Sequence, residues 1–294
     1  MKSNLFFPYL NRSRTSLILY LTFLAIATIP LNRTLATTAI NESDSLIYPR
    51  KQFSLSFGGF LASLKNDVVV GNEQLGLGVS LNVEDAFGLQ TSTTVLRGDV
   101  EYALGKRKRS IVGFEYFGLF RSASKVLESE IQIDTVVFPI GSELNSHFNL
   151  QIFKGDFDYA FYMDERIRIG ASFGLFIIPI SLSTDGKHFS EFKAQVTAPL
   201  PVFGLSTDFA ITPKLRLKQS IEFLYVQFSN FKGVLTDLNV RLEYNPWKHF
   251  GFGLGFNSYD LDITITSGSN IKLDFIGTIE SSFAGILFYG RYYF

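Results

Sequence analysis

The sequence predicts an all-β chain closed into an antiparallel, up-and-down transmembrane β-barrel of about ten strands, with eight and twelve as the neighbouring even counts. Three observations predict it: period-two alternation through most of the chain, a sorting of connections into short and long, and an N-terminal export signal. The composition agrees. Of 294 residues, 15% are aromatic, with 31 Phe, 13 Tyr and one Trp, and only 18% are charged. An average soluble domain carries about 25% charged residues. Lys and Arg together number 27, as do Asp and Glu, so the formal net charge is zero. That removes the electrostatic case for a nucleic-acid binder. With no cysteine, the chain has no disulfide framework, thiolate chemistry or cysteine zinc site.

The N-terminus reads as an address. Lys2, Arg12 and Arg14 precede an apolar run from Leu17 to Leu31, and no acid appears before Glu42. The run is shorter than the ~20 residues that a spanning helix needs. Small residues follow, and Ala36 and Ala39 both suit cleavage. The expected organisation is an export signal over 1–36, a short periplasmic segment over 37–50 and a barrel over 51–294. A retained anchor is the alternative, against which Pro30 and the short run both count. The nearest later apolar run, Phe173–Ile180, is brief and contains Pro179, so a helical membrane protein is excluded.

Ten segments then alternate. They lie near 51–62, 93–104, 110–122, 149–162, 166–182, 195–211, 214–228, 234–245, 249–265 and 282–294. Leu96, Gly98, Val100, Tyr102 and Leu104 oppose Arg97, Asp99, Glu101 and Ala103; Leu238, Val240, Leu242 and Tyr244 oppose Asn239, Arg241 and Glu243. Residues of alternating parity lie on opposite faces of a strand. No helical stripe follows Ala36. The turns at Gly105–Arg109, Met163–Arg166, Thr212-Pro213 and Asn245–Lys248 are short. Connections near 65–93, 122–147, 184–192, 229–233 and 266–281 are expected to be longer, with strand extensions at Ile131–Phe138 and Val79–Val83. Short turns at one end and long loops at the other are the habit of outer-membrane-type barrels.

Magnitude decides which face meets lipid. An Arg or Lys facing lipid near the midplane costs roughly 2–4 kcal/mol. Turning Arg97, Asp99 and Glu101 outward would burden a single strand heavily, so the Phe-rich face is assigned to lipid and the charged face to the lumen. A soluble barrel of the lipocalin kind would use the opposite phase, with the apolar face lining a ligand cavity.

The last strand, Phe283–Phe294, places Ala284, Ile286, Phe288, Tyr292 and Phe294 on one face and ends on Phe. With the export signal and the absence of Cys, it resembles the terminal β-signal of Gram-negative outer-membrane barrel proteins. The Gly-rich strand from Phe250 is similar to the penultimate strand of many small barrels of that class. The resemblance implies the cell outer membrane as location, its lipids as surroundings and insertion by the barrel-assembly machinery, with Phe288, Tyr292 and Phe294 in the assembly signal. It implies no activity, because such barrels include pores, enzymes, adhesins and anchors.

The assigned phase sends Arg97, Asp99, Glu101, Glu115, Arg121, Lys154, Asp156, Asp158, Arg168, Asp208, Arg216, Lys218, Glu222, Asp237, Arg241, Glu243 and Arg291 into the lumen. Acids and bases are close to balanced. A narrow barrel tends to be filled by side chains, so these groups are expected to pair as a structural network, with surface loops carrying any interaction or envelope-structural role. A thin polar channel for small solutes is one alternative, and a rim-located hydrolase acting on lipid or peptide is another. The reading for catalysis is negative. Gly170–Gly174 matches G-x-S-x-G but lies inside a strand, where the required strand-to-helix turn is missing. Ser122–Lys125 matches S-x-x-K without a helix to hold it. Outer-membrane proteases of the omptin type pair carboxylates with an Asp–His couple at the outer rim; no D-x-H occurs here, and Asp260 and Asp262 offer half of such a site. His147, His188 and His249 are not expected to converge on a metal, and no cofactor is implied.

Overall fold

The computed structural model describes residues 51–70, 79–128, 130–133, 136–186, 189–228, 231–265 and 277–294. The expected export signal, the 37–50 segment and His188 lie outside them. The elements run β1 (Phe53–Val70), β2 (Val79–Asn82), α1 (Val83–Phe87), β3 (Ser92–Leu104), β4 (Ser110–Val126), β5 (Ile131–Ile133), β6 (Val136–Phe138), β7 (Glu143–Met163), β8 (Ile167–Gly186), β9 (Phe189–Ala210), β10 (Leu215–Phe228), β11 (Phe231–Tyr244), β12 (Phe250–Ile265) and β13 (Gly277–Tyr293). Ten long strands follow one another antiparallel around a ring, and β13 returns to β1 from Ser54↔Tyr293 to Val70↔Gly277. Closure satisfies the strand edges that an open sheet would leave bare. β2 adds to the top of β1, and β5–β6 form a separate hairpin.

Apart from irregularities between Ala160 and Tyr162 and between Thr184 and Gly186, parity is held along the strands, while polarity is not. In the lower barrel, beside the short turns, Phe157, Tyr159 and Phe161 of β7 are exposed, and Lys154 and Asp158 are buried inside. Higher on the same strand the buried residues are Leu144, Phe148, Leu150 and Ile152, and the outward positions are Asn145, His147, Asn149 and Gln151. β12 repeats the inversion. Phe252 and Leu254 face out below, whereas Tyr259, Leu261, Ile263 and Ile265 face in above, with Asp260 and Asp262 outward. The apolar face therefore meets lipid only in the lower part. Above it the wall is bathed by water, and the same alternation builds an ordinary apolar core. The whole-strand assignment of the Phe-rich face to lipid needs this correction.

Two other expectations change. The stretches near 184–192 and 229–233 are mostly strand: β8 and β9 approach to Gly186 and Phe189, and β10 and β11 to Phe228 and Phe231. The height of the wall lies in strands where longer loops were expected. Second, a one-turn helix, α1, follows Asn82, whose side chain accepts from the Asp85 N–H, and ends on Gly88 at φ 69°. Five residues are too few for a helical stripe, but the Asn cap, the acids Glu84 and Asp85 and the left-handed Gly were legible signals. Val83 and Phe87 join the upper core. Buried Glu84 accepts from Arg121 at 2.7 Å and from the Asn66 amide groups at 2.7 and 2.9 Å.

At the opposite end the turns are tight. Asp164 is partly desolvated, which raises its pKa, but the N–H groups of Ile167 and Arg166 and the Tyr162 hydroxyl together hold its carboxyl below the usual range. A depressed carboxyl stabilises above its unfolded pKa and loses that contribution as pH falls through the folded value. Asp164→Ala is expected to lower the protection factors of the 166 and 167 amides at neutral pH, and acidification below the carboxylate range is expected to lower them in the unaltered chain, each rate being referred to the intrinsic rate at its own pH. Protection of 166 and 167 left unchanged by the substitution and by acidification would remove this role.

Candidate functional site

The lower lumen holds the charged side chains, brought together by parity from eight of the ten wall strands. Arg291 is the hub. It is 1% exposed and lies 2.8 Å from Asp99, 3.0 Å from Glu101 and 3.4 Å from Glu243, while its Nε donates to Ser56 at 2.6 Å. Lys218 reaches Glu101 and Glu243 at 3.7 and 3.5 Å. Arg241 of β11 crosses to Asp99 of β3 at 3.1 Å and Glu115 of β4 at 3.3 Å, and Arg97 meets Glu115 at 2.6 Å. These contacts span the lumen, since four strand-to-strand steps round the ring separate β11 from β3. Arg97 continues to Asn257 at 2.9 Å, and Asn257 donates to Asp237 at 2.6 Å. Lys154 pairs with Glu222 at 2.7 Å and approaches Asp156 at 4.0 Å. Nearer the short turns, Arg168 pairs with Asp158, which also accepts from Ser206, and Arg216 pairs with Asp208.

Most of these buried charges are thus held against an opposite one, and Asp237 is held by the amides of Asn239 and Asn257, where an uncompensated ion would be costly. A cavity of about 150 Å³ remains, lined in part by Glu115, Lys154, Asp156, Asp158, Glu222 and Arg241. Neutral members of the network escaped the sequence reading: Asn239, Asn257, Ser56, Ser206 and Tyr289, whose hydroxyl donates to Glu243 at 2.7 Å. Inward parity was the signal that could have found them. Gly253 has a specific reason: a Cβ there would come within 2.1 Å of the Tyr289 ring. Asp237 and Glu222 complete the acidic side, and Arg121, also assigned to the lumen, sits higher and serves Glu84.

Phe288, Tyr292 and Phe294 face outward and are exposed at the lower end of the wall, with Phe294 5.0 Å from Phe53 and 4.7 Å from Tyr292 by ring centroids. The catalytic fragments do not assemble. Ser172 points inward in β8, and Ser122 and Lys125 occupy opposite faces of β4. Asp260 and Asp262 lie on β12, five strands from His147 on β7 in either direction round the ring. His249 sits at the other end of the barrel, 2.8 Å from the Tyr293 carbonyl. Among the described residues no group of three metal-ligating side chains is found.

The wall order, closure and outward apolar belt can be set beside solved structures. The outer membrane protease OmpT from Escherichia coli aligns with a TM-score of 0.53 at 10% identity, over 88% of this chain and 100% of that one. The fold is that of a Gram-negative outer-membrane β-barrel. Looser alignments include Ail of Yersinia pestis in complex with the heparin analogue sucrose octasulfate (TM-score 0.34, 9% identity, 81% of this chain and 97% of that one). Another is the toluene transporter TodX of P. putida (TM-score 0.31, 8% identity, 85% and 91%). No protein-family model matches the barrel, and no curated protein matches it.

Proposed function

We propose that this outer-membrane barrel is non-enzymatic, with a lumen closed by its own side chains, and that its rim and surface loops serve an interaction or envelope-structural role. The supporting observation is the stacked interior: ion pairs that cross the lumen at membrane level, and an apolar core above them that includes Leu119, Leu144, Leu150 and Ile178, all fully buried. A water path along the axis would have to separate both layers. Parting buried ion pairs alone costs several kcal/mol. The exposed Phe288, Tyr292 and Phe294 fit recognition by the assembly machinery, and the belt fits the lipids of the outer membrane. In planar bilayers the purified barrel is expected to give no unitary conductance steps. Discrete steps of reproducible size would overturn the closed lumen in favour of a narrow solute channel.

A further inference from the structure

Above Phe203 and Phe223 the wall loses its hydrogen-bond ladder, although both strands continue. β9 stays paired with β8 through Pro201↔Leu175 and Pro199↔Ile177, and β10 stays paired with β11 to Phe228↔Phe231. Between β9 and β10 the last pair is Phe203↔Phe223. Pro201 is the cause. Successive residues of a strand turn their N–H groups to opposite neighbours, and proline has none. Positions 199 and 201 therefore do not supply the bonds to β8, and their backbone faces β10. The next hydrogen-bonded pair would join Pro201 to Tyr225, where the donor is missing. Pro199 repeats the omission two residues on.

This seam opens on the outer margin of the apolar belt. Phe203, Phe223 and Tyr225 flank it, each half or more exposed, and the polar Thr197 and Gln227 follow. Its inner lining is apolar at three positions, with the Lys154–Glu222 pair below them and Lys154 5.5 Å from the Phe176 ring. Leu200, Val202 and Leu224 are buried there, and Leu200 is the register partner of Phe176. Tyr259 of β12 stacks on Phe283 at 4.6 Å between ring centroids, and its ring lies 6.3 Å from that of Phe176. Tyr259 is 1% exposed, and its hydroxyl has no hydrogen-bond partner. A buried donor left unsatisfied is destabilising, and natural structures contain few of them. The comparable break between β3 and β4, above Arg97↔Phe117, is instead packed by the chain from α1 to Thr91, with Arg121 donating to the Gln90 carbonyl.

We propose that the β9–β10 seam is a lateral binding site for the acyl chain of a membrane lipid, whose ester carbonyl takes the hydrogen bond that Tyr259 lacks. An acyl ester matches the apolar walls, supplies one acceptor for one donor, and is present in the layer on which the seam opens. The seam is shut as described, since Leu200 and Val202 are fully buried. The paired register between the strands ends below this stretch and neither proline donates across it, so fewer backbone bonds oppose entry of a lipid chain here than along the paired wall. Occupation from the side leaves the axis closed, and the site stands independently of the closed-lumen reading.

The test is photolabelling of the barrel in phosphatidylcholine vesicles doped with a phosphatidylcholine that carries a diazirine in its acyl chain. Adducts are expected on the inward residues Val202, Leu224 or Tyr259 as well as on the outer belt. Adducts confined to outward residues such as Phe203 and Phe223 would overturn the site. Tyr259→Phe is expected to reduce inward labelling about fivefold, the equivalent of one ordinary hydrogen bond. Pro201→Val, which restores the donor toward β10, is expected to abolish it. Inward labelling unchanged in both variants would also overturn it. Belt labelling is the internal reference for folding and seating, so its loss would count against the membrane barrel itself, and loss of inward labelling alone bears on the seam.

Discussion

Arg291→Met is expected to lower the unfolding free energy of the barrel by about 3–5 kcal/mol, the usual cost of breaking a buried ion pair by removing one partner. The guanidinium serves Asp99, Glu101 and Glu243 together and is wholly enclosed. Without it, Lys218 pairs with Glu101 and Glu243 at the longer distances of 3.7 and 3.5 Å. Methionine fills part of the volume and supplies no charge, so three carboxylates must share what compensation is left or take up protons. Urea unfolding of the reconstituted barrel, followed by heat-modifiable migration on gels, measures the loss. Arg291→Lys should fall between, because one ammonium retains the charge but not the fork of donors that reaches several carboxylates and Ser56 at once. A loss under about 1 kcal/mol for Arg291→Met would mean that the network contributes no more than exposed pairs do.

The second large effect separates the two halves of the wall. Phe173→Arg on β8 is expected to cost about 2–4 kcal/mol, because the side chain lies outward in the middle of the apolar belt. Phe173 is 52% exposed and packs on Phe203 at 5.2 Å between ring centroids. Ser183→Arg lies on the same strand and the same face but above the inversion, where the wall faces water. Its expected change is within about 0.5 kcal/mol, as for an ordinary surface site. Unfolding of both variants in the same lipid gives the comparison. Equal costs would mean that the belt does not end where the polarity inverts, and the division of the wall would fail.

The inversion itself was present in the residues. In β12 the apolar parity moves from Phe252 and Leu254 to Tyr259, Leu261 and Ile263, and in β7 from Leu150 and Ile152 to Phe157 and Tyr159. A single phase carried along each strand hides it, because every segment still alternates. The strand extensions were obscured for a related reason: Ser183 and Asp185 resemble loop residues until the buried Leu182 and Thr184 are seen beside them. Asn239 and Asn257 carry no charge, so the charge pattern does not mark them, yet they link Arg97 to Asp237.

By itself the sequence determined the architecture. Alternation assigns every wall residue to one of two faces, and burying a charge in lipid is too expensive for the lower barrel to adopt the other phase. It also contained the cause of the seam, since Pro199 and Pro201 lack their donors in any fold. Only the tertiary structure decided the partners: that Arg241 reaches Asp99 and Glu115 across the lumen, that the buried Tyr259 hydroxyl has none, and that His147 and Asp260 lie on opposite walls. Period two specifies direction along a strand and is silent about what lies opposite. That depends on how many strands close the ring and with what register, which are properties of the whole wall.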